Sequence, residues 1–214
     1  MAAEIATRRM TLNEYFALPC DGTLIEWVAG EAVFHLSASA LHQQVVQFMY
    51  MLLQLFTNLR RTGRVFLAPY AMMPTPQGPV REPDIMVITP EHLDRVQDRW
   101  LTGAPDLAVE VLSDDSLARD RSEKFDEYEA AGVREYWVVD PRPGRERADF
   151  WVLDRGRYRA IAFGDDGTYR CSVLPGFWLK TAWLVPGAMP DPLRALGEMV
   201  GPEALIAALR PQQD

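Results

Sequence analysis

The segment from Asp106 to Ser113, DLAVEVLS, is nearly all apolar and constrains the fold more than any other part of the sequence. A strand with one wet face alternates apolar and polar residues, whereas a run this apolar is typical of a strand covered on both faces. We therefore predict that this segment lies in the interior of a sheet with helices packed against it. The length of 214 residues is near that of one such α/β domain.

The other segments predict a mixed order of helices and strands. Apolar residues at helical spacing predict helices over residues 11–18, 39–60 and 116–131, with a short helical start at 89. Runs of β-branched and aromatic residues predict strands over 24–28, 31–36, 64–73, 80–88, 106–113, 135–139, 148–153 and 158–163. This order predicts an α/β fold with a mixed central sheet and flanking helices.

The C-terminal end has a different pattern. From Val185 onward, two short helical segments each open with a proline, at Pro192 and Pro202. We predict a core domain over residues 1–184 and a helical appendage over residues 185–214. The appendage carries apolar faces that a lone domain would have difficulty covering, which predicts self-association as a homodimer: Leu193, Leu196, Leu205, Ile206 and Leu209.

Composition excludes several classes of protein. The N-terminus lacks an apolar leader, and the most apolar run, over 45–56, is short and interrupted by glutamines, so we expect neither export nor a membrane span. Cys20 and Cys171 are far apart and fit a reducing cytoplasm rather than a zinc site or a disulfide framework. A net charge of -8 argues against a protein that binds nucleic acid through an overall positive field. It does not exclude binding in a local basic cleft.

Glu110 lies in the middle of the apolar strand, where an unpaired carboxylate is costly to bury. Asp106 is about 13 Å away along the strand, too far to share a metal ion with Glu110. A neighbouring strand, at ~4.8 Å, can place a second carboxylate beside it. Asp84 is the best candidate, because it opens an apolar strand after Pro83, and Glu82 is its rival.

Two carboxylates on adjacent strands form an oxygen-rich site that suits Mg²⁺ or Mn²⁺ and would sit best against phosphate. Without an ion the two groups repel, so neutralising Glu110 is expected to leave stability unchanged or to raise it. Lys124 lies on the sheet-facing stripe of the following helix. It either extends to solvent, pairs with Asp120 or Glu127, or joins Asp84 and Glu110 as the cation of the site.

Four segments of the chain carry a resemblance to a known family: LIEWVAGE followed by His42, REPDIMVI, APDLAVEVLS, and DRSEKFDEYEAAGVREYWVVDP. Over roughly residues 11–180 the sequence resembles the Uma-type family of bacterial restriction endonuclease-like proteins in the PD-(D/E)XK nuclease superfamily. The resemblance implies a restriction-endonuclease-like core and magnesium-dependent phosphodiesterase chemistry. It also implies the roles of four residues: Asp84 and Glu110 bind the metal, Lys124 is the lysine, and Glu26 is an additional acidic residue.

One position departs from the superfamily pattern. The pattern would place a lysine two residues after the glutamate, where this chain has Leu112, on the same face of the strand as Glu110. Either Lys124 has taken over the lysine's role or catalysis is lost. The favoured function is a metal-dependent endonuclease, with DNA as the expected substrate. The alternative is an inactive nuclease-fold protein that serves as a binding or assembly module, which the acidic net charge supports.

Other polar residues allow both structural and functional interpretations. His42 contacts a phosphate or orients a carboxylate if it is functional, and is a cap or core residue if it is not. Glu31, across the hairpin turn, competes with Glu26 for the acidic role. The remaining groups are expected to be structural: Asp114, Asp115 and Ser116 as helix caps, Asp106 as a strand start, and Arg142, Arg145 and Arg147 as part of a solvated loop rather than a phosphate-contacting arm.

Overall fold

The computed structural model of the protein describes residues 6–19, 21–35, 38–113 and 117–210, and side chains for all of these except 117–121. Strands β1 to β13 run, in chain order, over Ala6–Arg9, Ile25–Val28, Glu31–Phe34, Arg64–Leu67, Ala71–Met73, Ile85–Ile88, Trp100–Thr102, Leu107–Val111, Glu135–Asp140, Arg147–Asp154, Arg157–Ala160, Thr168–Arg170 and Trp178–Lys180. Helices α1 to α5 span Leu12–Phe16, Ala40–Arg60, Leu117–Ala131, Pro192–Val200 and Pro202–Ala208. Short 3₁₀ helices lie at Pro90–Arg95 and Thr181–Leu184.

Six strands form the central sheet, in the order β11–β10–β9–β8–β6–β4. β8 and β9 are parallel, and all other neighbours in this sheet are antiparallel. Parallel neighbours need a long crossover, which α3 supplies here. The predicted α/β fold with a mixed sheet is therefore confirmed, and the apolar segment around Glu110 lies in the sheet's interior.

The two faces of β8 contribute to two separate apolar clusters. Val109 and Val111 pack in the larger cluster with Phe56 of α2, whereas Ala108 packs in the second cluster with Tyr128 of α3. Each face is covered by a helix, which explains why the strand carries apolar residues on both sides. Glu110 therefore belongs to the face that α3 covers.

A smaller three-stranded sheet, in the order β1–β3–β2, lies against the segment that leads into β6. The β2–β3 hairpin turns at Ala29 and Gly30, which both have positive φ values of 51° and 87°, as a two-residue hairpin loop requires. The backbone of Trp27 exchanges two hydrogen bonds with Val80, at 2.9 and 2.8 Å. This pairing fixes the hairpin beside residues 81–84, which carry much of the candidate site.

Some strand boundaries differ from those predicted. The predicted strand over 64–73 is two strands, because the chain leaves the central sheet after Leu67 and β5 pairs with β7 instead. Of the predicted strand over 80–88, only β6 joins the sheet, since Pro83 has no amide hydrogen to donate. β1, β7, β12 and β13 were not predicted, because strands of three or four residues carry too short a pattern and depend on tertiary pairing.

The C-terminal helices form as predicted, and α4 packs on α2. Leu196 is buried in the larger core cluster together with Ala195, so it faces the domain and not solvent. Leu193, Ile206 and Leu209 are exposed. The domain boundary after residue 184 and the homodimer stay predictions. Among the described helices, none is long and apolar enough to cross a membrane.

Candidate active site

The two predicted metal-binding carboxylates lie at neighbouring positions of adjacent strands. β6 and β8 are antiparallel with Ile85 opposite Val109, so the next position places Asp84 level with Glu110. The cross-strand arrangement expected from the sequence is therefore present. Asp84 immediately precedes β6 and Glu110 is near the end of β8, so both residues lie at the same end of this antiparallel strand pair.

The Asp84 carboxylate is held by two neighbours. Its Oδ2 atom accepts a hydrogen bond of 2.7 Å from the backbone N–H of Val111, and Nε2 of His42 lies 3.2 Å from each carboxylate oxygen. His42 is in the first turn of α2, where Ser39 caps its backbone N–H. Of the two functional roles considered for His42, the contact with Asp84 corresponds to orienting a carboxylate.

The Glu110 carboxylate is almost fully buried, with 4% of the residue exposed, and it contacts a cation. Its Oε1 atom accepts hydrogen bonds from Nζ of Lys124 at 2.9 Å and from the hydroxyl of Tyr128 at 2.7 Å. Both donors come from α3, four residues apart, and so lie on the same face of that helix. Because an ammonium group balances the charge of Glu110, we now expect that neutralising this residue lowers stability, in contrast to the expectation from the sequence.

Lys124 is 3% exposed, so it does not extend to solvent. Its Nζ also lies 3.2 Å from Oε1 of Glu26, and the lysine therefore bridges two carboxylates from two different sheets. Glu127 is paired elsewhere, with Arg81. The structure thus places Lys124 with Glu110, one of the arrangements left open by the sequence.

Glu26 lies on β2 and is fully buried. It contacts Lys124, the guanidinium of Arg81 at 3.1 Å, Nε2 of His35 at 3.2 Å and the backbone N–H of Glu82 at 3.2 Å. Burial acts to raise the pKa of Glu26, but the charge of Lys124, the hydrogen bond from His35 and the charge of Arg81 outweigh it and hold that pKa well below its usual range. Glu26 is therefore an anion in the folded protein.

The competing carboxylates point elsewhere. Glu31 pairs with the exposed Arg9 at 3.3 Å, away from the site. Glu82 accepts a hydrogen bond of 3.0 Å from the backbone N–H of Ile25 and lines a cavity of about 100 Å³ beside Tyr15. Burial and the nearby charge of Glu26 raise the pKa of Glu82 to about 8, so it carries a proton at neutral pH. Asp84, not Glu82, is the carboxylate in contact with the Glu110 strand.

Sequence reasoning missed Arg81 and Tyr128 as members of this cluster. Arg81 is fully buried, and its Nε and Nη2 atoms donate to the two carboxylate oxygens of Glu127 at 2.7 and 2.8 Å. These hydrogen bonds and the charge of Glu26 raise the pKa of Arg81 although burial opposes this, so it is a permanent cation. Burial and the charge of Glu110 raise the pKa of Tyr128, which stays a hydroxyl donor. The sequence did carry one signal for them: Arg81 lies in the REPD segment and Tyr128 in the EKFDEY segment, both part of the family resemblance.

The other polar groups are structural where they are described. Asp106 accepts hydrogen bonds from the N–H and hydroxyl of Thr89, at 2.7 and 2.8 Å, and joins the start of β8 to the 3₁₀ helix that follows β6. Arg142 donates to both carboxylate oxygens of Asp140, at 2.7 and 2.6 Å, and is buried rather than part of a solvated loop or arm. The predicted caps at 114–116 lie outside the described residues.

The described residues contain no group of three or more His, Cys, Asp or Glu side chains arranged to hold a metal ion. Asp84 and Glu110 nevertheless fit Mg²⁺, which is often bound by only one or two carboxylates and keeps several water ligands beside a phosphate. Oε1 of Glu110 accepts two hydrogen bonds, from Lys124 and Tyr128, so an ion would share this carboxylate with both donors. The donor set is compatible with a hard divalent cation and unsuited to zinc, which prefers nitrogen and sulfur ligands.

A mixed sheet with two carboxylates on adjacent strands and a lysine from the next helix defines a restriction-endonuclease-like fold. The chain belongs to the Uma2 family, described as "Putative restriction endonuclease", whose sequence pattern matches residues 12–182. The predicted resemblance is therefore confirmed. The family assignment supports nuclease activity.

A solved structure has the same fold. It is that of a putative nuclease belonging to DUF820 from Anabaena variabilis ATCC 29413, which superposes with a TM-score of 0.68 at 18% sequence identity. The superposition covers 82% of this chain and 97% of that chain. At this identity the similarity shows the fold alone. No curated protein matches the chain.

Proposed function

We propose that the protein is a metal-dependent endonuclease that hydrolyses phosphodiester bonds of DNA. One observation carries the proposal: Nζ of Lys124 lies 2.9 Å from Glu110 and comes from α3, although the strand position usual for this lysine holds Leu112. The positive charge that a lysine on β8 would carry comes instead from α3, and it lies beside the Glu110 carboxylate.

In this proposal Asp84 and Glu110 hold Mg²⁺ or Mn²⁺. When bound, the ion supplies Lewis-acid polarisation of the phosphoryl oxygen and lowers the pKa of a water molecule. The chain's own residues fix the two carboxylates: the N–H of Val111 and the imidazole of His42 hold Asp84, and α3 holds Glu110.

Lys124 provides positive charge beside the scissile phosphate, where negative charge develops during hydrolysis, or positions the attacking water. Glu26 is the second anion in contact with Lys124, and Arg81 in turn balances Glu26. This arrangement surrounds the ammonium with carboxylates that hold it in place, in a site where an unbalanced charge would be costly. Glu26 thus acts through Lys124 in this mechanism.

DNA as the substrate is supported by the description of the family, and a DNA substrate implies a cytoplasmic location. With a net charge of -8, binding must come from local contacts and from the metal ion rather than from an overall positive field. The alternative, an inactive binding or assembly module, predicts no cleavage with any divalent ion.

Plasmid cleavage with and without Mg²⁺ or Mn²⁺ tests the proposal. We expect cleavage that chelation abolishes, and calorimetric Mn²⁺ binding that disappears in Asp84→Ala. Glu82→Ala is the matched control, because Glu82 lies two residues away and contacts Ile25 instead of the metal site. Equal Mn²⁺ binding by parent and Asp84→Ala would place the metal elsewhere, and a folded parent that cuts no DNA would contradict the proposal.

A further inference from the structure

Tyr128 occupies a buried position on α3 and has no part in the hydrolysis mechanism proposed above. Its ring is fully buried and packs edge-to-face on Tyr136, with 5.0 Å between ring centroids. A phenylalanine would fill the same apolar space. The hydroxyl instead donates a hydrogen bond of 2.7 Å to Oε1 of Glu110.

We propose that Tyr128 is a positioning residue whose hydroxyl, together with the Lys124 ammonium, fixes the orientation of the Glu110 carboxylate. The terminal torsion of a glutamate side chain is broad, so one donor at one oxygen leaves the carboxylate plane free to rotate. Two donors that converge on Oε1 from the same helix restrict that rotation. The orientation that the carboxylate presents to a metal ion is then set by α3. This inference rests on the proposed function.

A neutral donor suits this position better than a second cation. Arg81 and Lys124 already balance much of the charge of Glu26, Glu110 and Glu127. Another ammonium or guanidinium group on Glu110 would compete with a divalent ion for the same carboxylate. A hydroxyl orients the carboxylate and adds no positive charge, so the negative charge of Glu110 stays available to the metal.

The chain offers a matched control in Tyr158. This tyrosine is also buried in the cluster between the sheet and α3, and its hydroxyl donates a hydrogen bond of 3.0 Å to the backbone carbonyl of Val133. Tyr158→Phe removes a buried hydroxyl from the same apolar cluster without touching Glu110. It therefore separates a positioning effect from a general loss of stability.

The experiment compares the parent, Tyr128→Phe and Tyr158→Phe in two measurements, below the melting temperature of each. Cleavage kinetics over a Mn²⁺ titration should show that Tyr128→Phe lowers kcat about tenfold and raises the Mn²⁺ concentration for half-maximal rate, with the KM for DNA unchanged. Calorimetry without DNA should show Mn²⁺ binding weakened several-fold by Tyr128→Phe. Tyr158→Phe should match the parent in both measurements.

Two results would overturn the positioning role of Tyr128. The first is a Tyr128→Phe variant whose kcat and Mn²⁺ affinity equal those of the parent. The second is an equal loss of kcat and Mn²⁺ affinity in Tyr128→Phe and Tyr158→Phe. In either case the parent still cuts DNA and the proposed function stands. A parent that binds Mn²⁺ without cutting contradicts the proposed function, and Tyr128 is then judged on Mn²⁺ affinity alone. A parent that neither cuts nor binds Mn²⁺ overturns both.

Discussion

Two buried glutamates on adjacent parallel strands have opposite surroundings. Glu110 on β8 contacts Lys124 and Tyr128, whereas Glu135 on β9 contacts only neutral donors among the described residues. These donors are the indole N–H of Trp137, the hydroxyl of Tyr169, the thiol of Cys171, the N–H and hydroxyl of Ser172 and the N–H of Val173. Both residues are almost inaccessible to solvent.

The difference separates a structural carboxylate from a candidate catalytic one. Three of the partners of Glu135 come from consecutive residues, Cys171 to Val173, so this carboxylate fastens that segment to the sheet. Lys124, by contrast, joins Glu110 to Glu26 from a second sheet, and the cluster continues to Arg81. Burial alone therefore does not mark a functional carboxylate, while a shared buried cation from another element is the more informative sign.

The largest expected effect comes from neutralising the two glutamates in turn. Glu110→Gln should abolish cleavage, a loss on the order of 10³ or more, because a metal ligand is removed. Glu135→Gln should keep near-parent turnover in the folded protein but lose about 3 kcal/mol of stability, since an amide N–H₂ group would face other donors.

Turnover and urea unfolding of both variants test this comparison. Glu110→Gln loses the ion pair with Lys124, so we also expect its metal-free unfolding free energy to decrease, by about 2 kcal/mol. This decrease is smaller than the one expected for Glu135→Gln. If Glu135→Gln lost cleavage while remaining folded, the division between structural and catalytic carboxylates would be wrong.

The next effect concerns the cation of the site. Lys124→Ala should lower turnover by roughly 10², comparable to the loss of one electrostatic contact in a transition state, and leave Mg²⁺ affinity nearly intact. It should also cost about 3 kcal/mol of stability, because Glu110 and Glu26 lose their shared partner. Lys180→Ala is the control, since Lys180 pairs with Glu198 at the surface. Parent turnover in purified Lys124→Ala would remove the lysine from the mechanism.

The smallest effect on cleavage is expected for Glu82, a buried carboxyl group that accepts one backbone hydrogen bond and lies near both Glu26 and Lys124. Its pKa is about 8 in the folded protein, against a usual value near 4.5. As pH rises, the unfolded chain therefore loses the Glu82 proton at a lower pH than the folded protein does. Metal-free stability should fall as pH rises from about 5 to 8.

Replacing Glu82 by Gln removes this titration and keeps an acceptor for Ile25. Urea unfolding at pH 5 and pH 8 should therefore show a smaller decrease in stability for Glu82→Gln than for the parent. Glu203→Gln, at an exposed site, should keep the parent's dependence on pH. Equal pH dependence in all three proteins would show that Glu82 is ionised like a surface glutamate.

Much of the sheet could be predicted from the sequence because each long strand carries its own apolar pattern. The pairing of Asp84 with Glu110 could also be predicted, since strand spacing leaves few ways to bring two carboxylates together. Arg81 could not be, because an arginine before a strand usually faces solvent, and its burial depends on Glu26 and Glu127 from two distant segments. Glu135 was overlooked because all of its donors except Trp137 lie more than 30 residues later in the chain.

The division of the cluster between a sheet and a helix has a consequence for the nascent chain. β6 and β8 leave the ribosome before α3, and the crossover must dock before β9 can pair in parallel with β8. Until then Asp84 and Glu110 have no Lys124 beside them, and Glu110 has no Tyr128 to orient it. Under the proposed function, a chain released early, or one that has locally unfolded α3, cuts DNA far more slowly than the completed fold, because it lacks both side chains at the site.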